Sequence, residues 1–247
     1  MFAARVSDLR LALMILTRIP TGSAPLPSDA TLARAVWAYP IAGALVGLIS
    51  GTVYYAAARL HLPAAALALA ASVLVTGALH EDGLADFCDG LGGGKGATQK
   101  LAIMRDSRIG AYGAVALIVV FLVRWSALAT LSDAVHVLLT WTAAGALSRA
   151  VIALPLALPP ARVDGLGVQA SSPPTWSVAT AALIAIALSL AVVQLAAVPM
   201  IGAAALGAAA ITLLARHYLG GQTGDVLGAA ALIAETAALA VASAGWM

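Results

Sequence analysis

Read from its start, the chain alternates long apolar runs with short polar breaks. Leu9 to Leu16 is apolar but too short to cross a bilayer, and it ends in Thr17-Arg18-Ile19-Pro20. That predicts an interfacial or re-entrant piece. Thr21 to Pro27, rich in Pro, Ser and Gly, predicts a loop. Seven runs then predict membrane spans, at about Ala35–Ala58, Ala64–Leu79, Ala111–Leu131, Val135–Leu158, Val178–Ala197, Ile201–Ala215 and Val226–Ala242. The sixth is rather short, and the second runs straight into a polar stretch. In the first, Gly43, Gly47 and Gly51 recur every fourth residue, which predicts close contact with another helix. No repeat of fixed period is present. The pattern predicts an all-α, polytopic integral membrane helical bundle of about seven spans, forming a single membrane-embedded domain over residues 1–247.

Composition agrees with that pattern. Hydrophobic residues make up 62% of the chain and charged residues 10%, against about 25% charged in soluble domains. The net charge of +2 and the lack of a basic tract with interleaved aromatics give no footing for nucleic acid. The single cysteine, Cys88, excludes an intrachain disulfide and a multi-cysteine metal site. The first residues lack a signal-peptide pattern, so insertion would rely on the spans themselves. With seven spans and the N-terminus in the cytoplasm, Arg5, Arg10, Arg18, Arg34, Lys95, Lys100, Arg105, Arg108, Arg162 and Arg216 lie inside, and Arg59 alone lies outside. That bias is a positive-inside signal. Arg124 and Arg149 fall within spans, where each costs roughly 2.5–3.5 kcal/mol, so both are expected to face the bundle interior or snorkel.

Charge is scarce, which makes its clustering informative. Of eleven acidic residues, Glu81, Asp82, Asp86, Asp89 and Asp106 fall between His80 and Gly113. On a helix, Asp82, Asp86 and Asp89 stand at i, i+4 and i+7 and share one face. Two carboxylates about 5.5 Å apart repel by ~0.7 kcal/mol in water and ~3 kcal/mol at an effective dielectric of about 20. A hard divalent cation relieves that repulsion, and an all-oxygen donor set suits Mg2+ or Mn2+. The alternative is a solvated acidic helix end with Asp82 as its cap. Gly92-Gly93-Gly94-Lys95-Gly96 offers backbone amides to phosphate or serves as a plain linker. It is not a P-loop, because Gly96 stands where Ser or Thr should follow Lys95. Arg105, Ser107 and Arg108 ahead of Gly110 and Gly113 suit phosphate at a helix start, or a positive-inside anchor. Ser148-Arg149 could reach a phosphate or one of the aspartates, whereas Arg124 beside Trp125 reads as structural. Asp164 in Asp-Gly is expected to make a turn, with a functional role as the alternative. His80 is expected to pack at the helix end, with the role of a base as the alternative. Span parity puts the acidic stretch, the Asp164 loop and the Gly221–Asp225 loop on one water face, so Asp225 can join Asp82, Asp86 and Asp89. Such a site fits a metal-dependent transferase acting on a diphosphate or phosphodiester.

Several blocks carry a family resemblance. They are Thr17–Pro20, Glu81-Asp82-Gly83-Leu84-Ala85-Asp86-Phe87-Cys88-Asp89-Gly90-Leu91-Gly92-Gly93, Met104–Gly113, Ser148-Arg149 and Gly220–Ala229. In this order, and nearly end to end, they resemble the cobalamin synthases, the adenosylcobinamide-GDP ribazoletransferases. The central block is specific and the others are individually weak. The resemblance implies a bacterial inner-membrane, multi-pass enzyme with its site on the cytoplasmic side. It would join adenosylcobinamide-GDP and α-ribazole or its 5'-phosphate, release GMP and require Mg2+. Carried over, Asp82, Asp86 and Asp89 become metal ligands, with Glu81 and Asp225 as further ligands or as the base for the attacking hydroxyl. Arg105 and Arg108 become phosphate ligands, and Arg18, Ser148, Arg149 and Thr223 substrate contacts. Members often carry a further glutamate a turn beyond the Gly-Ala of the last block; here Leu232 stands there, and Glu235 follows. The oligomeric state is not legible.

Three other readings remain open at this stage. CDP-alcohol phosphotransferases also begin with an Asp-Gly motif, but Asp86 replaces their arginine after Ala85. Intramembrane prenyltransferases use two aspartate-rich motifs, and Asp225 stands alone. An ion-coupled transporter would bind its ion near the midplane, usually between repeats.

Overall fold

A computed structural model of the protein describes residues 2–22, 29–131 and 133–245. The loop expected at Thr21–Pro27 lies, from Ser23 onward, outside the described residues. Within them, thirteen α-helices follow in order: α1 (Phe2–Leu16), α2 (Asp29–Ala35), α3 (Tyr39–Arg59), α4 (Ala64–Thr76), α5 (Leu79–Gly93), α6 (Ala97–Ile103), α7 (Ala111–Thr130), α8 (Ala134–Ala150), α9 (Ala153–Leu156), α10 (Leu166–Gln169), α11 (Thr175–Val193), α12 (Ala197–Leu219) and α13 (Gly224–Ala244). The only paired extended backbone among the described residues is one parallel bridge between Pro160 and Gln222.

Five stretches are long and apolar enough to cross a bilayer: 32–59, 111–130, 134–156, 175–219 and 224–244. The fourth is broken at Gln194, whose φ of 53° ends α11. Its two arms leave and return to the same end of the bundle. The segment preceding α11 is stapled to the one following α12 by Gln222 N–H to Pro159 O (2.9 Å) and Ala161 N–H to Gln222 O (2.8 Å). The stretch is therefore a hairpin of two crossings. The sixth expected span is not short: α12 has 23 residues, about 34 Å of helix.

The second expected span is the one that differs. α4 has 13 residues, roughly 20 Å, and the chain then turns by 88° into α5. Gly77 (φ 66°) and Ala78 (φ 59°) make the elbow. A side chain at Gly77 would meet Arg18, which lies over it, and Arg18 N–H binds Val75 O at 2.6 Å. The acidic motif is thus carried on a helix set at a sharp angle to α4, not on its straight prolongation.

The bundle is held by small residues. Gly43 and Gly47 of α3 face Gly145 and the Trp141 carbonyl of α8, where any Cβ would fall on backbone. α13 is buried among α5, α7, α8 and α12, along Ala229, Ala230, Ala234 and Ala238. Small side chains allow the close contact that drives helix association in lipid. Outward, α7 presents Val115, Ile118, Val119 and Leu122, as a lipid-facing helix should. At the N-terminus, α1 docks against α2 and α3 and buries Leu11, Ala12 and Leu16.

Candidate active site

The site lies where α5 crosses the start of α13. Gly83 permits the crossing, since a Cβ there would stand 2.9 Å from the Asp225 carbonyl. Asp225 sits in the first turn of α13, behind the N-cap Thr223. The Thr223 hydroxyl accepts from Val226 N–H and donates to Asp225 Oδ2, both at 3.3 Å. Arg162 reaches Asp225 Oδ2 at 3.1 Å. Arg162 is aimed there by the Pro159–Gln222 staple, for which Gly221 is needed because a Cβ would strike the Pro159 carbonyl. On α5, Asp86 faces the charges of Asp82, Asp225 and Asp89, opposed by Arg162. The last helix and the acidic helix do converge, as span parity requires.

The four acidic residues of α5 divide their work. Asp82 is exposed and Asp86 half-buried, while Glu81 and Asp89 are buried. Both oxygens of Asp89 are taken: Gly110 N–H donates to one at 2.7 Å and Gly113 N–H to the other at 2.9 Å. Asp89 thereby caps α7, where a carboxylate meets the positive end of the helix dipole. Glu81 turns inward to Arg124 at 3.5 Å. Of the expected metal ligands, Asp89 is thus fully satisfied by the fold, while Glu81 is buried toward Arg124 with its Oε2 lacking a hydrogen-bond partner. With Asp82, Asp86 and Asp225 all ionised against the Arg162 guanidinium, the site would carry a net charge of minus two; burial and the neighbouring carboxylates instead push Asp86 up to about 7. A divalent cation would cancel the charge of the ionised set. Among the described residues, no three Asp, Glu, His or Cys side chains are grouped closely enough to hold a metal ion together. Mg2+ does not need three, because it is commonly held by one or two carboxylates, with waters and substrate phosphates completing its shell. In that sense the residues fit the ion.

Other expected contacts are placed differently. The amides at the start of α7 serve Asp89, so they are not a phosphate cradle. Arg108 binds Asp106 (2.7 Å), and its hydrogen bonds hold the Asp106 carboxyl down to about 2. Arg105 reaches across to Asp164 at 2.5 Å, with both side chains exposed. Asp164 thus does more than form a turn. The glycine loop is used for packing: Gly92 lies under the Tyr112 ring and Gly94 against Lys100, whose Nζ donates to Leu91 O at 2.6 Å. Arg18 stays exposed at the elbow.

Ser148 and Arg149 are not at the open site. Arg149 is buried and pairs with Glu235 inside the bundle, and its Nη1 also donates to Ser148 Oγ at 2.7 Å. Glu235 further accepts from Arg124 (2.5 Å) and Trp141 Nε1 (3.0 Å). Two arginines and two glutamates, Glu81 and Glu235, close a neutral buried network, the usual condition for charge at this depth. Leu232 is buried and apolar.

The sequence reading assigns no role to Arg162, although parity sets it on the same face as Asp225. His80 is buried as expected. It also lines a 240 Å³ cavity with Asp82, Arg162, Asp164 and Asp225, and neither ring nitrogen has a hydrogen-bond partner. No periodicity announces that.

An all-helical bundle with aspartates and arginines gathered at one end defines a polytopic membrane protein equipped to handle a charged ligand from the water. The family follows from comparison. A profile described as cobalamin-5-phosphate synthase matches residues 8–243, and the chain belongs to that family. It is 48% identical to the adenosylcobinamide-GDP ribazoletransferase of Bradyrhizobium diazoefficiens, over 97% of this chain and 94% of that one. It is also 48% identical to the protein of that name from Mesorhizobium japonicum (96% and 93% covered) and 42% identical to that of Rhizobium etli (94% of each). No solved structure matches.

Proposed function

We propose that this protein is an adenosylcobinamide-GDP ribazoletransferase of the bacterial inner membrane, with its site open to the cytoplasm. It joins adenosylcobinamide-GDP to α-ribazole or its 5'-phosphate and completes the nucleotide loop of cobalamin. The observation that carries this reading is the meeting of Asp225 with Asp82 and Asp86, under Arg162, at one water face. Relatives of the same name, matched end to end, supply the substrate class.

In the reaction a ribose hydroxyl oxygen of the acceptor attacks the phosphorus attached to cobinamide. One P–O bond forms, and the P–O bond to GMP breaks. GMP leaves with the electron pair, and the hydroxyl proton passes to a carboxylate or to water. One or two of the carboxylates Asp82, Asp86 and Asp225 would hold a divalent cation, with water and substrate phosphate completing its shell. When bound, that cation neutralises phosphate charge and stabilises the leaving group. Arg162 orients Asp225 and lies close enough to share phosphate oxygens, and Arg105 becomes a phosphate ligand when it leaves Asp164. Asp82 is exposed and Asp86 half-buried, so the charged substrate meets them from the water.

The test is GMP release by protein in nanodiscs supplied with adenosylcobinamide-GDP, α-ribazole and Mg2+. Asp82→Asn, Asp86→Asn and Asp225→Asn should each lower kcat at least a hundredfold while the protein stays monodisperse. Normal turnover in all three would refute the assignment. GMP release with CDP-alcohols or prenyl diphosphates in place of the corrinoid would refute the substrate class.

A further inference from the structure

Away from the carboxylates, a second charged cluster lies where α1 meets the starts of α3 and α11. Trp37 N–H donates to Ser177 Oγ at 2.9 Å, and that hydroxyl donates to Arg34 O at 2.8 Å. The two helices therefore begin side by side, with Trp37 and Trp176 at their rim. Arg5 of α1 lies over both indoles, 4.4 Å from the Trp176 ring centre and 5.3 Å from that of Trp37, within cation–π range. One turn on, the buried Asp8 is already claimed. It accepts from Arg34 Nε (3.0 Å) and Nη2 (2.8 Å), and from Trp37 Nε1 at 3.1 Å. Among the described residues Arg5 has no carboxylate partner. The two arginines and one aspartate thus keep one positive charge, and a 170 Å³ cavity opens on them, lined by Ala4, Arg5, Asp8, Arg34 and Trp176.

This is not the catalytic cavity, which α1 reaches with Ile15 and Leu16, about 15 Å farther along the helix. On α11, Leu183 and Leu190 follow Trp176 at seven-residue steps and so share its face. All three are exposed, and the stripe they form is about 21 Å long. The cluster stands at the end of a spanning helix, where tryptophans mark the border between membrane and water. An arginine held by two rings, with donors open to a cleft, suits a phosphate. The apolar stripe running on from it suits a hydrocarbon tail, which free phosphate lacks. The surplus positive charge favours a ligand with no ammonium group of its own.

We propose that this cluster seats an anionic phospholipid of the cytoplasmic leaflet. Its phosphate meets Arg5 and Arg34, and one acyl chain lies along Leu183 and Leu190. The lipid pins α1, whose far end walls the cavity at Asp82. The proposal does not rest on the transferase reading, and its test does not use turnover.

Native mass spectrometry of the full-length protein in detergent, titrated with dioleoylphosphatidylglycerol or dioleoylphosphatidylcholine, tests it. Wild type should hold phosphatidylglycerol about tenfold more tightly than phosphatidylcholine, roughly the worth of one charge-assisted hydrogen bond. Arg5→Gln should remove that preference. Arg59→Gln, which alters an arginine over the single ring of Tyr55 (5.1 Å) at the other end of α3, should keep it. Equal binding of the two lipids by wild type, or an unchanged preference in Arg5→Gln, would overturn the site. Displacement of phosphatidylglycerol by millimolar inorganic phosphate would also overturn it, in favour of a free-anion site. If Arg5→Gln is not monodisperse, the wild-type comparison and the phosphate competition decide.

Discussion

Glu235→Leu removes the carboxylate that holds two buried arginines. Glu235 takes Arg124 at 2.5 Å, pairs with Arg149 and accepts from Trp141 at 3.0 Å. Without it, Arg149 keeps the Ser148 hydroxyl and a more distant Glu81, and Arg124 keeps Glu81 at 3.5 Å and the face of Trp141 at 5.6 Å. The network passes from neutral to a net charge of one positive. Breaking a buried ion pair by removing one partner costs about 3–5 kcal/mol, a large part of a usual total of roughly 5–15 kcal/mol. For a chain of this size each kcal/mol moves Tm by about 2–4 °C, so the expected fall is about 6–20 °C. The assay is thermal unfolding in one detergent, with both proteins prepared alike. Adding Arg149→Met should recover most of the loss, because an apolar pair of similar volume removes the uncompensated charge. A Glu235→Leu protein melting within 2 °C of wild type, or a double variant no better than the single, would refute the reasoning.

Further expectations separate structural from chemical carboxylates. Asp89→Ala should lower stability by about 1–3 kcal/mol, through loss of two buried acceptors for α7, and leave the Mg2+ concentration for half-maximal rate unchanged in the protein that remains folded. Gly47→Leu should prevent the α3–α8 contact and abolish monodisperse expression, whereas Gly202→Leu, where an added Cβ meets nothing within 4 Å, should be tolerated. A reporter fused in the Gly94 loop should read cytoplasmic; a periplasmic reading would overturn the orientation.

Much of this architecture can be read in the chain. Apolar runs announce the long helices, and the fourfold glycine spacing announces the α3–α8 contact, because both are periodic. Span counting allows Asp225 to reach the acidic helix, and the two do meet. The elbow is harder to see: Gly77 breaks the apolar run only weakly, and the left-handed turn at Ala78 has no residue signal, since alanine normally avoids it. The carboxylates mislead for a related reason. Regular spacing treats Asp82, Asp86 and Asp89 alike, but Asp89 is claimed by two amides 21 and 24 residues away. Only tertiary folding decides that. Arg149 sits beside a serine in a motif that reads as substrate contact, and its true partner, Glu235, is 86 residues distant.

The 88° corner between α4 and α5 has a consequence for how charge is sorted. A helix that stops and turns so sharply gives the acidic residues an axis of their own: Glu81 can face the buried arginines while its neighbour Asp82 stays open to water. One short element thus divides fixed charge from charge left free to meet a ligand.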